Sequence, residues 1–486
     1  MNYYLILAIV ILIIVLISLR LLKYQAINSL PGTNWLEVFK FLVLKKSNSD
    51  ILNFILNLHK RYGSVVKIWI KPFRPIIIVS DPKYFEAILG SKEHLHKTKL
   101  YDILHRLAGD GLGTVRDVKQ WKADRIFFNP LFKHKSISNY TFKLKRHMDD
   151  FKNVLITHIN RPVDVYFIIH HCAMCMILEY LIDETVNAET TTNIIHAIDK
   201  SFEMVLERVY SAIKSNELLF RFTRMYRTWE KVHQFVDNIF LDLIHERMKL
   251  RGNTPTETIT ERKNLMDLLL ENDFSEEYIM GHLKSFFIAG YDTVATTTSF
   301  ALFEIAKRKD VQEKILQEYL SLAGNNEDYI LTFDDLHNMT YTESVIKETL
   351  RMYPVIPAIE RKVKSPITID GFCIPADTDI TFSIASLHYS NFANPEVFDP
   401  NRFSPENINK VKPYSYAPFS IGPRNCIGQK LAIVEMKFIL SHTVKDFTLH
   451  SVQPEHKLQL ATDFLLKSKN GMPIIFKKRS NNEMRK

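Results

Sequence analysis

Phe419-Ser-Ile-Gly-Pro-Arg-Asn-Cys-Ile-Gly428 sets one cysteine in a glycine-flanked loop, and an apolar rhythm of Leu431, Val434 and Phe438, with Glu435, follows at helical spacing. Gly422 can turn with φ > 0 or pass close to a flat ligand, which a residue with a Cβ does less readily. Cys426 is thereby expected near a helix N-terminus, where unpaired N–H groups and the positive end of the helix dipole favour a thiolate. A thiolate so placed is a natural axial ligand for haem iron. Arg424, two residues earlier, is a permanent cation whose planar fork suits a haem propionate. A lone cysteine among apolar residues is ordinarily a small buried hydrophobe. Phe419, Gly422, Arg424 and Gly428 at their offsets are what argue for a ligand.

Composition narrows the setting. The chain has 486 residues, 46% apolar and 12% aromatic, ample for a large core. Four cysteines (Cys172, Cys175, Cys373 and Cys426) make no disulfide framework and point to a reducing compartment. Cys172-Ala-Met-Cys175 stands beside His170 and His171, but no second cysteine pair lies nearby to complete a zinc site. That segment reads as buried helix. Tyr3 to Leu19 carries no charge and is dominated by Ile, Leu and Val. With its flanks it reaches about 20 residues, roughly 30 Å as a helix, enough to span a bilayer. Arg20 and Lys23 follow the apolar run instead of preceding it, and no A-x-A-like cleavage site is visible, so an anchor is expected rather than a signal peptide. The positive-inside rule then places the bulk of the chain in the cytosol. The net charge of +9 is spread without a basic run long enough for a nucleic-acid arm. It suits an anionic membrane surface or an acidic protein partner, and equally a generic soluble surface.

Along the chain, Val65–Ile70 and Pro75–Ser80 read as two strands around a turn. Residues 120–250 are helical in pattern, and Gly252 to Arg262 is a polar, Thr-rich loop. From Ser275, the expected N-cap, runs one helical pattern of about 34 residues, about 50 Å long. Helices follow at 310–322 and 339–352, short strands at 361–388, and a frayed polar end from Lys477 to Lys486. The fold class is mostly α with small β-sheets. The long helix holds a contradiction: Ala289-Gly290-Tyr291-Asp292-Thr293 and then Thr296, Thr297 and Thr298 place poor helix formers at its middle. Gly290 alone costs about 1 kcal/mol relative to Ala. Such breaches mark functional or strained sites. Thr293 is expected to turn its hydroxyl back onto the Ala289 carbonyl.

The Phe419–Gly428 run resembles the haem-binding loop of the cytochromes P-450, F-x-x-G-x-R-x-C-x-G, at every fixed position. Ala289–Thr293 is similar to that family's oxygen-binding helix, [AG]-G-x-[DE]-T, and Glu348-Thr-Leu-Arg351 to its E-x-x-R. Pro400-Asn401-Arg402-Phe403 resembles the P-E-R-F segment with Asn401 in place of Glu, and Trp121-Lys-Ala-Asp-Arg125 matches W-x-x-x-R. The resemblance implies haem b held by a Cys426–iron bond, with Ala289, Gly290, Phe419, Gly422 and Gly428 against it. It implies propionates met by Trp121, Arg125, Arg361 and Arg424. Thr293 becomes a hydrogen-bond donor to dioxygen, Asp292 a proton relay, and Glu348, Arg351 and Arg402 a structural triad. His388 is kept as structure. The cytochrome P-450 fold is expected, with an anchor over 1–22, a proline-containing hinge over 23–35 and one haem-thiolate catalytic domain over 36–486.

The run from Gly422 to Ala432, with Glu435-Met436-Lys437 after it, looks most like the microsomal family-four clan of insects. The implied activity is a monooxygenase of the endoplasmic reticulum membrane acting on a fatty acid, lipid-derived hormone or xenobiotic. Its electrons come from NADPH through a flavoprotein reductase, with cytochrome b5 as a further partner. Lys119, Lys122, Lys430 and Lys437 are expected to form a basic face for that reductase. Many of that clan carry Glu where this chain has Ala289 and can esterify it to the haem, so non-covalent haem is expected here. An oxygen-independent isomerase or dehydratase is the alternative enzyme, and a haem-based sensor or lipid-binding protein the alternative outside enzymes. The retained Asp292–Thr293 pair speaks against the first, and the complete electron- and proton-delivery set against the second.

Overall fold

The computed structural model describes residues 24–479 apart from 45–48, 72–73, 185, 212, 254–263, 273, 325 and 327, with scattered positions before residue 24. Helices dominate and the strands form small sheets. The chain makes two compact units: one gathers Met1–Thr98, Pro357–Pro395 and Lys412–Asn425, the other Lys99–Ile356, Glu396–Val411 and Cys426–Lys486.

The first unit is built on a sheet of β1 (Val65–Lys71), β2 (Arg74–Val79), β3 (Ala358–Lys362) and β4 (Asp379–Ser383) in the order β1-β2-β4-β3. The β1–β2 pair is antiparallel with Val66 opposite Ile78, β2 runs parallel to β4, and β4 pairs antiparallel with β3, Ile380 opposite Arg361. Period-two alternation sorts the side chains. Val66, Ile68 and Ile78 pack under Val38 and Leu58, while Ile77, Val79, Ile380 and Phe382 meet Tyr84, Phe85 and Ile88 on the other face. Each such buried side chain contributes about 1.5–3 kcal/mol. The 412–425 segment crosses this unit as irregular chain, pinned where His388 Nε2 accepts from the Ala417 N–H at 3.0 Å. His388 lies on a short helix, Ile384–Asn391, where a strand was expected, because Ser383 caps a helical turn there.

In the second unit the helices that carry the site are α1 (Val118–Phe128), α2 (Val165–Ile182), α3 (Ala188–Tyr210), α4 (Glu276–Ala306), α5 (Thr340–Met352) and α6 (Gln429–Asp446). α4 is the long helix read from the sequence, and Ser275 is its N-cap, accepting from the Tyr278 N–H at 3.3 Å. It packs against α2, α5 and α6. A helix enclosed on every side is apolar all round, and from Gly281 to Ala306 only Ala289, Gly290 and Thr293 are not buried.

Among the described residues the one helix long and apolar enough to cross a membrane is α2, and it is mostly buried within the protein. The anchor expected over 1–22 lies largely outside the described residues. Tyr4, Leu5, Leu7, Ile11, Leu12 and Val15, which are described, are helical and exposed. Most of the loop expected at 252–262 and the end beyond 479 also lie outside them; Gly252 and Asn253 still belong to the Arg224–Asn253 helix.

Candidate active site

The cysteine loop turns on left-handed backbone at Ser420 (φ 60°) and Gly422 (φ 73°). A Cβ on Gly422 would stand 2.0 Å from the Leu89 carbonyl oxygen, so this glycine serves a backbone-on-backbone crossing within the first unit. Phe419 is half-buried and the Arg424 side chain is buried. Gly428 is the residue before α6, which places Cys426 just ahead of a helix N-terminus as expected. The thiol nevertheless has its pKa raised: burial dominates, opposed by the Gly428 backbone hydrogen bond and by the Arg125 charge. The side chain itself is exposed. The Gly428 hydrogen bond and the Arg125 charge are what favour the thiolate here.

Arg125 lies in electrostatic reach of Cys426, and burial lowers its own pKa. Trp121, one turn before it, is buried. Their helix α1 is started by Asp117, which accepts from the Gln120 N–H at 3.0 Å. Asp124 then ties α1 to α4, accepting from the Tyr278 hydroxyl at 2.7 Å, with His282 Nε2 3.5 Å from its second oxygen. In the first unit, Arg361 on β3 is buried and donates to the Glu360 carbonyl at 2.8 Å. Lys97 has its pKa pushed well down by burial and by the charges of Arg361 and Arg424. Lys97 was not read from the sequence. It stands in an irregular loop 264 positions before Arg361 (361 − 97), and nothing local distinguishes it.

On α4, Thr293 Oγ1 donates to the Ala289 carbonyl at 2.7 Å, the back-bond expected from the sequence. Thr297, Thr298 and Ser299 do the same one turn on, each onto the carbonyl four residues earlier. Gly290 is explained by packing: a Cβ there would lie 2.6 Å from Cγ1 of Ile177 on α2, so the glycine admits the neighbouring helix. Asp292 is buried and faces α2, where His170 Nε2 lies 2.9 Å from its Oδ1. The structure thus turns Thr293 to the open turn and Asp292 away from it.

Glu348 and Arg351 are a buried bidentate pair, Nε to Oε2 at 2.7 Å and a terminal guanidinium nitrogen to Oε1 at 2.9 Å. Arg402 joins Glu348 at 3.4 Å, and the Asp399 N–H donates to it at 2.8 Å. Burial pushes the Glu348 carboxyl up against the pull of Arg351. Asn401 donates to Asp399 at 2.9 Å and so helps to close the turn that presents Arg402. Cys172 and Cys175 are buried in α2 with thiol pKa values raised by burial, Cys175 to about 11, and no group of metal-ligating side chains occurs among the described residues. Lys437 is a correction. It is buried, donating to the Leu336 carbonyl and paired with Glu343, both at 2.7 Å, so it is no part of a surface basic face.

In the second unit the Cys426 sulfur, with the Arg125 charge in reach, is a donor that fits haem iron. The class is therefore a haem protein with a thiolate ligand. A family model described as cytochrome P-450 matches residues 30–475, and the chain belongs to that family. Cytochrome P-450 4d2 of Drosophila melanogaster is 29% identical over 484 residues, covering 93% of this chain and 94% of its own length. Cytochrome P-450 4V2 of Mus musculus is 29% identical over 485 residues, 95% and 92%. Cytochrome P-450 4c21 of Blattella germanica is 28% identical over 450 residues, 88% and 89%. The chain is thus similar to family-four members of insects and mammals, and it is a cytochrome P-450 monooxygenase whose family binds haem b through a cysteine–iron bond.

Proposed function

We propose that this cytochrome P-450 is a membrane-bound enzyme of the endoplasmic reticulum, facing the cytosol, that hydroxylates or epoxidises a lipophilic substrate with electrons from NADPH through a flavoprotein reductase. Haem, when bound, supplies the oxygen-activating chemistry. Cys426 is the residue that would ligate its iron, and Trp121, Arg125, Arg361 and Arg424 would meet its propionates. The observation that carries the reading is the open turn of α4: between Gly281 and Ala306 only Ala289, Gly290 and Thr293 are not buried, while the Asp292 carboxyl is held against α2. Thr293 Oγ1 donates to the Ala289 carbonyl and would be the hydroxyl that donates to dioxygen in the loaded enzyme. Asp292 would be the proton relay for that chemistry.

Reconstitution with purified reductase tests the proposal. Product formed in proportion to NADPH, carrying oxygen from O2, is expected. Conversion without NADPH would favour an isomerase or dehydratase, and ligand binding without turnover a sensor. Cys426→Ala should abolish the thiolate-type absorption band of the reduced, CO-treated protein; a persisting band would remove Cys426 as ligand. Because Ala289 has no carboxylate, haem should extract into acidified organic solvent, and haem retained by the chain would contradict non-covalent binding.

A further inference from the structure

His170 on α2 was noticed in the sequence only as a neighbour of two cysteines. In the structure it is buried, and its two ring nitrogens have different partners. Nδ1 lies 2.7 Å from the Tyr166 carbonyl oxygen, four residues back on the same helix. A carbonyl oxygen only accepts, so Nδ1 carries a hydrogen. Nε2 lies 2.9 Å from Asp292 Oδ1, to which Thr296 Oγ1 also donates at 3.3 Å. With Nδ1 protonated, the Nε2 of a neutral ring is a bare acceptor, and an ionised carboxylate is acceptor-only as well. Two such acceptors do not share a buried contact. The contact therefore holds one proton, either on the ring as imidazolium or on Asp292 as the acid.

We propose that His170 is the proton-holding positioning residue for Asp292, fixing its carboxyl against α2 and returning a proton to it whenever one is given up. The proposal rests on the oxygen-activating reading above. The transfer balances: the Nε2–H bond breaks, an O–H bond forms on Asp292 Oδ1, and the ring becomes neutral with its remaining hydrogen on Nδ1. A proton from water then restores the imidazolium.

The surroundings are built for a retained charge. Tyr166 on α2 lies against the His170 ring, centroids 3.8 Å apart, and Tyr291 on α4 stands edge-on at 6.1 Å. Burial, seconded by the Asp292 charge, pushes both phenols well up, so they stay neutral. From α3, Asp199 lies in electrostatic reach of both His170 and Asp292. It accepts a hydrogen bond from Tyr166 and one from Lys467 at 3.2 Å, and Asp463 stands 3.6 Å from Lys467. The Asp199 side chain is 26% exposed, against 1% for His170 and 3% for Asp292, so water reaches the network from that side.

Isotope-edited infrared titration of the resting, full-length haem protein tests this without turnover. The Asp292 carboxyl signal is assigned by its loss in Asp292→Asn, and the imidazole signal by ring-labelled histidine and its loss in His170→Gln. Carboxyl and imidazole signals of the wild type should change together in one coupled event. In His170→Gln, which keeps an amide hydrogen bond but holds no titratable proton, the carboxyl should titrate alone. The same variant should keep the reduced-CO band while product per NADPH falls several-fold and the solvent isotope effect rises. A carboxyl titration in His170→Gln that superimposes on the wild type overturns the proposal. So does unchanged coupling of product to NADPH. Should the variant not fold, independent titration of the two wild-type signals would overturn it equally. Absence of the reduced-CO band from the wild type would instead strike the oxygenase reading.

Discussion

Glu435 stands seven positions into α6, wholly buried, with the Tyr140 hydroxyl 3.3 Å from Oε1 as its resolved hydrogen-bond partner. Burial raises its pKa from 4.5 to about 8, Tyr140 opposing only in part. The folded protein thus keeps a proton that the unfolded chain releases above about 4.5, so stability falls as pH rises from there to about 8 and levels off above. Glu435→Gln, with no proton to lose, should be more stable at pH 7.5 by about 1–3 kcal/mol and should flatten that decline. Denaturant titrations of both proteins across pH 5–9 measure it; parallel curves would dismiss the buried-acid account. Lys437, two residues on, shows the same force with opposite charge. Burial lowers its pKa while Glu343 holds it charged, which is why it is a structural pair and not a docking residue. At this scale the sequence displayed both side chains but not their burial, because α6 carries charged residues on faces that other helices cover.

At the scale of elements, α4 and α5 were legible and their partners were not. Ser275, the acidic first turn and the apolar run located α4. Its tolerance of Gly290 needs Ile177 of α2, a contact across 113 positions (290 − 177) that no local pattern carries. The E-x-x-R of α5 would be a weak exposed pair in isolation. Burial with Arg402 and the Asp399 N–H makes it strong. Glu348→Gln keeps its shape but strands Arg351 at 2% exposure, and should destabilise the second unit by about 3–5 kcal/mol. Chemical denaturation read by far-ultraviolet circular dichroism checks it, and a loss below about 1 kcal/mol would mean that the pair is dispensable.

For the whole molecule, the net charge of +9 bears on partner choice. Lys119 and Lys122 on α1 and Lys430 on α6 are exposed in the second unit, and with Lys437 removed they are what remains of the basic face read from the sequence. Complementary charge chiefly sets encounter rate and partner choice. Lys122→Glu and Lys430→Glu should therefore raise the reductase concentration for half-maximal turnover several-fold at low salt, with the reduced-CO band intact. Turnover indifferent to both changes would place the reductase elsewhere.

What the sequence determined by itself is the class: residues 419–428, 289–293, 348–351 and 121–125 each put particular side chains at short fixed offsets, and backbone geometry carries such offsets into space with little freedom. The tertiary structure decided which groups answer them. Lys97 beside Arg361 and Arg424, His170 on Asp292, Tyr278 on Asp124 and Glu343 on Lys437 all join segments far apart in the chain. It also decided the burial that raises the Cys426 pKa and the Arg125 charge that opposes it. Desolvation depends on everything packed around a group, and a list of neighbours along the chain does not contain that.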